Sequence, residues 1–331
     1  DEEGWIVGVG AETALRAAAR PELTPPKLKN DCFALPQGVE WTPVDDALAQ
    51  LRAGLSAVTG TERCVVGDAA GRVLAHDALA LRSNPPGANS AVDGYGFAAA
   101  GIGNRGRQVL PLLAGRAAAG APLRETVPEG RAVRILTGAL LPEGVDTVVL
   151  EEDVAADPGA VAFEAPVKPR ANTRKAGEDV EAGALALPAG RVLGPADLAL
   201  LSALGLAEID VRARLRVGVL STGDEIAAPG GDADPARTYD ANRPMLLAVA
   251  ARWGHVAVDL GHVRDDRDAL RARLDSAVQE ADVILTSGGA SAGDEDHVSA
   301  LLTEAGAMQP WRIAITPGRQ LALGLWDGMQ V

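Results

Sequence analysis

Asp282-Val-Ile-Leu-Thr286 runs directly into Ser287-Gly-Gly-Ala-Ser-Ala-Gly-Asp-Glu-Asp296, and this junction decides how the chain folds. The apolar, β-branched run reads as a buried strand. The small residues and acids that follow place a pliant, anion-friendly backbone at its carboxyl end. In open α/β sheets, ligands bind outside that end. Glycines let a backbone approach a phosphate closely, and successive N–H groups cradle its oxygens. Acids there can hold a divalent cation that the phosphate also touches. A polar strand-to-helix turn is the plainer reading of the same residues, and this loop alone does not separate the two.

Working outward, strand and helix patterns alternate from residue 215 onward. Strands are expected at Leu215–Ser221, Val256–Leu260, Asp282–Thr286 and Arg312–Ile315, and helices at Pro244–Trp253, Asp266–Glu280 and Asp296–Glu304. Leu270, Leu274, Ala277, Val278 and Ala281 share one helical stripe. Such alternation predicts a doubly wound parallel sheet. Upstream, Pro195 opens a helix with Leu198, Leu201 and Leu204 on its apolar side and Gly205 at its end. Between about residues 61 and 190, short runs such as Arg63–Val66, Val133–Leu136 and Thr147–Leu150 stand among turn signals, which predicts a mainly β module. Thr42-Pro43 with Asp45 predicts a helix start, with Val44, Ala47, Leu48, Leu51 and Leu55 on one face.

Three loops leave carboxyl ends of expected strands in the α/β region: Ser221-Thr-Gly-Asp-Glu225, Gly261-His-Val-Arg-Asp-Asp266 and the loop after Thr286. Asp, Ser and Thr at any one of them would serve as helix caps. Three such loops at one sheet edge favour a site for a phosphorylated ligand with Mg²⁺. The β module adds Asn89-Ser-Ala-Val-Asp-Gly-Tyr95, whose Asp-Gly ordinarily marks a tight turn. It also adds Arg134–Gly138 and Asn172–Asp179, which on their own read as loops.

Composition narrows the class. The chain has 331 residues, enough for two or three domains, and 47% of them are hydrophobic but only 3% aromatic, so Ala, Leu and Val build the interior. A formal charge of −14 argues against nucleic acid or an anionic membrane as partner. Cys32 and Cys64 form no CxxC, and His76, His255, His262 and His297 are scattered, which disfavours zinc and disulfide frameworks. No apolar run is long enough to span a membrane, and Asp1-Glu-Glu-Gly resembles no signal peptide, so a cytoplasmic location is expected. The start at Asp1 and the stop at Val331 within an expected strand suggest a piece of a longer protein.

Eight motifs occur in the order found in one family: Asn89–Tyr95, Thr137-Gly138, Gly177–Asp179, Ser221–Glu225, Tyr239-Asp-Ala-Asn-Arg243, Arg264–Asp266, Ser287–Gly289 and Pro317-Gly318. Across residues 41–331 the chain resembles the molybdopterin molybdenumtransferases, the MoeA family that includes the gephyrin E domain. The resemblance implies a multidomain α/β and β protein. A doubly wound molybdopterin-binding domain would span 41–60 and 212–331, an elongated linker domain 61–85 and 180–211, and a mainly β module 86–179. Residues 1–40 receive no assignment. It further implies Mg²⁺-dependent insertion of molybdate into adenylylated molybdopterin with release of AMP. The partners implied are a second copy in a homodimer, a molybdopterin-adenylylating enzyme upstream and molybdoenzyme maturation proteins downstream. In such dimers the β module of one subunit faces the α/β domain of the other.

By the same resemblance, Asp93, Thr137, Asp179, Glu225 and Asp265 are the catalytic positions. Thr222, Gly223, Asp224, Ser287, Gly288, Gly289, Ser291, Asp296, Arg312 and Arg319 would hold the cofactor, with Glu225, Asp265 and Asp296 as Mg²⁺ ligands. The family's Lys-Pro-Gly-Lys segment reads Thr316-Pro-Gly-Arg319 here, and Arg312 replaces an upstream lysine, so the expected molybdate pocket has fewer lysines. The family's later Leu-Pro-Gly-Asn-Pro loop and C-terminal β domain are not in this sequence. A binding or scaffolding protein without the chemistry, and a molybdopterin adenylyltransferase, are the alternative readings.

Overall fold

The computed structural model describes residues 41–230, 234–288, 297–306, 308–314 and 320–331. They fall into two compact units, one with the described residues of 41–55 and 310–322 and one with those of 56–309 and 323–331. The fold is mixed α/β, with parallel and antiparallel pairing in its sheets.

The strand Arg216–Thr222 is buried along its last six residues, as a Val/Leu-rich run covered on both faces should be. Val256–Val263 and Val283–Ser287 pair with it in parallel on its two sides. The chain therefore crosses first to one flank and then to the other, which makes the central strand a topological switch point. Leu270, Leu274 and Ala277 of the helix Arg267–Glu280 pack with Leu220, Leu260, Ile284, Leu301 and Leu302 in one core. This is the stripe expected from the sequence. Asp266 caps that helix by accepting the Ala269 N–H at 2.9 Å. Beyond it, Gln330 pairs with Val283, and Leu325–Trp326 turn back on Met329–Gln330.

Several boundaries move for local reasons. The helix expected from Pro244 begins at Asn242, because Asp240 already accepts the Arg243 N–H at 3.1 Å. The strand expected to end at Leu260 continues to Val263, since His262 and Val263 pair with Ser221 and Thr222. The strand expected at Arg312–Ile315 instead runs Met308–Arg312, and Gln320–Trp326 follows. Thr42 caps nothing. Pro43 precedes the helix Val44–Gly54, while Thr42 exchanges backbone hydrogen bonds with Arg312 and Ala314. Of that helix's expected face only Ala47 is buried, and Val44, Leu48 and Leu55 are exposed.

The β module is a six-stranded sheet in the spatial order 147–150, 94–97, 132–135, 106–117, 160–165, 155–156. Phe97 and Phe163 stack at 5.0 Å in its core, beside Tyr95, Val149 and Val161. Asp93-Gly94 is not the hairpin turn its dipeptide suggests. Gly94 opens the strand Gly94–Phe97 between Ile135 and Leu150, and a Cβ there would collide with the Val149 carbonyl. Two antiparallel ladders join chain on either side of the module: Thr61–Val65 with Glu208–Arg212, and Ala78–Leu79 with Leu185–Leu187. Leu201 of the helix Pro195–Ala203 closes their core with Leu74, Leu193, Ile209 and Val211. Gly205 ends the helix with φ +90°, a conformation that favours glycine.

Candidate functional site

Two clusters of polar residues emerge, and the first sits at the switch point. Ser221 pairs with Ser287 on adjacent parallel strands, so Thr222 and Gly288 leave the sheet side by side. Gly288 has φ +107°, and a Cβ on it would stand 2.6 Å from Thr222 Oγ1 and 2.9 Å from the Thr222 carbonyl oxygen. Only glycine fits this approach. Gly223 repeats the pattern with φ +126°, where the Glu225 carboxylate fills the space a Cβ would need. The two glycines let the carboxyl ends of two neighbouring strands pack closely, at the edge where ligands of open α/β sheets bind.

The loop after Val256–Val263 locks onto the one after Arg216–Thr222. Asp224 N–H donates to Asp265 Oδ2 at 2.9 Å, and Asp265 N–H donates to Asp224 Oδ1 at 3.2 Å. The Arg264 guanidinium holds Asp224 from the other side, with its Nε at 2.9 Å. These contacts, Arg264 first and the Asp265 N–H second, keep the Asp224 carboxyl below the usual carboxylate range. Asp224 is thus engaged in building the loop, and Glu225, exposed beside it, lays its carboxylate over Gly223. His262 Nε2 lies 2.7 Å from the Gly223 carbonyl oxygen and ties the same turn to the Val256–Val263 strand.

The second cluster lies in the β module. Thr137 donates both its hydroxyl, at 2.6 Å, and its N–H, at 2.7 Å, to Asp93 Oδ1. The hydroxyl chiefly, then the N–H, with the charge of Arg134 helping, lowers the Asp93 carboxyl from its ordinary value. Arg134 is itself placed by Glu151 and by the Tyr95 ring, 5.1 Å from its guanidinium carbon. Asp179 is held elsewhere: its N–H donates to the Asn84 carbonyl at 3.0 Å, and among the described residues no hydrogen bond joins it to Asp93 or Thr137. Arg174 ion-pairs with both Glu178 and Asp179.

The structure therefore brings Thr222, Gly223, Asp224, Glu225, Asp265, Ser287 and Gly288 to one sheet edge and joins Asp93 to Thr137 in the β module, whereas Asp179 pairs with Arg174. Among the described residues no hydrogen bond or ion pair links the two sets. Arg312 is exposed at the end of its strand in the other compact unit. Gly289, Ser291, Asp296, Thr316 and Arg319 lie outside the described residues. Arg264, His262 and Asn242 have no role legible in the sequence, although all three stand inside quoted stretches. Their partners are 39 to 45 residues away in the chain, so no local pattern could reveal them.

No group of three or more His, Cys, Asp or Glu able to hold a metal forms among the described residues. Glu225, exposed, and Asp265, half-buried, nonetheless offer hard oxygen donors in loops at this sheet edge. That suits Mg²⁺, which commonly takes one or two carboxylates and completes its shell with water and phosphate oxygens. A cavity of about 710 Å³ opens elsewhere, lined by Arg63, His76, Leu79 and Asp210 among others, and shares no residue with either cluster. No described helix is long and apolar enough to cross a membrane.

Residues 42–205 match the profile of the MoeA N-terminal region, domains I and II, and residues 218–329 match that of a probable molybdopterin-binding domain. The chain is 37% identical to the molybdopterin molybdenumtransferase of Haemophilus influenzae, over 85% of this chain and 69% of that protein. It is 38% identical to molybdopterin molybdenumtransferase 2 of Mycobacterium tuberculosis, over 68% of this chain and 56% of that protein. Two crystal structures of the molybdopterin biosynthesis MoeA protein from Pyrococcus horikoshii superpose with TM-scores of 0.73 and 0.72, at 31% and 27% identity. They are matched over 88% of this chain and over 74% and 73% of their own length.

Proposed function

This chain belongs to the MoeA family, and from that premise we propose that it inserts molybdate into adenylylated molybdopterin with release of AMP. The observation that carries the proposal is the paired glycine approach at the switch point, Gly288 against Thr222 and Gly223 beneath Glu225. It supports a phosphate-bearing pterin lying across the carboxyl ends of the two strands. On this reading residues 212–331 hold the pterin, with Thr222, Gly223, Ser287 and Gly288 forming the sheet edge that meets its phosphates.

Glu225 and Asp265 are the residues that would hold Mg²⁺, which when bound offsets negative charge on the phosphoanhydride and the departing AMP. In the reaction the bond between the two phosphates breaks, water supplies the new P–O bond, and AMP departs with the bridging oxygen. Asp224 and Arg264 keep the loop that carries Glu225 in one shape throughout. In the β module, Thr137 fixes Asp93 as an ionised acceptor, suited to orienting a water or a protonated oxygen. Because the two clusters are separate in one chain, we place them in one reaction through a homodimer in which each cleft takes one cluster from each copy.

The test is AMP release by the full-length protein from adenylylated molybdopterin. AMP should appear in proportion to added molybdate and without ATP consumption. ATP-dependent adenylylation of molybdopterin would instead identify an adenylyltransferase, and tight pterin binding without AMP release a scaffold.

A further inference from the structure

We propose that Asn242 is a positioning residue that fixes the Ser287 hydroxyl as a hydrogen-bond donor to the phosphate of the bound pterin, an inference that rests on the function proposed above. Asn242 Nδ2 donates to Ser287 Oγ at 2.8 Å. Ser287 ends the strand Val283–Ser287, immediately before the glycine packed on Thr222. A serine hydroxyl has one proton to give and two lone pairs to receive. With a lone pair taken by the Asn242 amide, the proton is directed elsewhere, at the carboxyl end of the strand. Phosphate oxygens accept hydrogen bonds, so a hydroxyl presented as a donor is what such a ligand requires.

The first turn of the helix Asn242–Arg252 is itself anchored. Asp240 is 6% exposed, and it accepts the Arg243 N–H at 3.1 Å and the Arg243 Nε at 2.9 Å. Arg243 extends to both oxygens of Asp259, at 2.7 and 2.8 Å, and Asp259 also accepts the Gly261 N–H at 2.8 Å. Burial pushes the Asp240 carboxyl up, but the Arg243 N–H and guanidinium outweigh it and hold the group below its ordinary value. Arg243 thus binds the helix start to one flank of the central strand, while Asn242 reaches the other flank. The Tyr239–Arg243 motif, to which the sequence alone gave no role, braces the two strands on either side of the switch point.

Substitution at Asn242 distinguishes this role from simple packing. Asn242→Asp keeps the side chain's size but turns the contact round: the carboxylate accepts the Ser287 proton and withdraws it from the ligand. The measurement is the affinity of the full chain for molybdopterin, with thermal unfolding as the check on folding. Asn242→Asp should weaken binding about tenfold, the scale of one lost hydrogen bond to a charged group. In a Ser287→Ala background the same change should add less than about twofold, because the coupled partner is gone. Undiminished affinity in Asn242→Asp, or an equal loss with and without Ser287, overturns the inference. Should Asn242→Asp not fold, the decisive variant is Asn242→Leu, expected to lose roughly threefold in the native background only; unchanged affinity there overturns it equally. Failure of the unsubstituted chain to bind molybdopterin would instead remove the function proposed above, and this inference with it.

Discussion

At Asp93 the carboxylate receives two hydrogen bonds from a single residue, and the stronger influence on it is the Thr137 hydroxyl. Replacing that hydroxyl should be visible as a titration shift. In Thr137→Val the side-chain donor goes while the backbone N–H stays, so the Asp93 carboxyl should rise part of the way to its ordinary value. Carboxyl-carbon NMR titration of the two proteins measures this, and an unmoved Asp93 would show that the hydroxyl is not what holds it. The sign for stability follows from linkage. A carboxylate depressed in the folded state stabilises the fold fully above the unfolded carboxylate value, and that contribution is lost as pH falls through the folded value. Thr137→Val should therefore lose stability relative to the native chain near neutral pH, with the difference closing under strongly acid conditions.

Gly94 shows what a strand demands of one position. Its Cα faces the Val149 carbonyl where two strands of the β module meet, and no side chain fits between them. Gly94→Ala should cost about 3 kcal/mol in denaturant unfolding, the upper part of the range for overpacked sites. An unchanged unfolding midpoint would mean that the sheet opens freely there. The dipeptide Asp93-Gly94 read as a turn because turn preference is local, whereas the packing of Gly94 depends on a strand more than fifty residues away. The same contrast runs through the other elements. The helix Arg267–Glu280 was legible to within a residue, since its apolar stripe and its Asp266 cap are both written locally. The start of Asn242–Arg252 was misread because Asp240 anchors Arg243 from outside the apolar pattern. The strand Val256–Val263 came out longer than its apolar run because pairing with Ser221 and Thr222 extends it.

On the scale of the whole molecule, the order of motifs along the chain gave the family, and strand alternation gave the parallel sheet. The resemblance already set Asp93, Thr137 and Asp179 in the β module and Glu225 and Asp265 in the α/β region, and these regions form different sheets. The individual contacts within each were not legible, because they depend on how distant segments pair. One cluster contains Asp93 and Thr137, the other Glu225 and Asp265, and the homodimer proposed above would join them across its interface. Asp93→Asn and Glu225→Gln should each inactivate the full-length protein while leaving it folded. In a mixed dimer with one substitution per chain, both lesions fall in one cleft and the other cleft is wholly native. The decisive measurement is molybdate-dependent AMP release by verified mixed dimers of these two inactive variants. Recovery to about half of native activity per dimer is the result predicted by the symmetry. Mixed dimers as inactive as either parent would contradict the shared cleft and require both clusters to act within one chain.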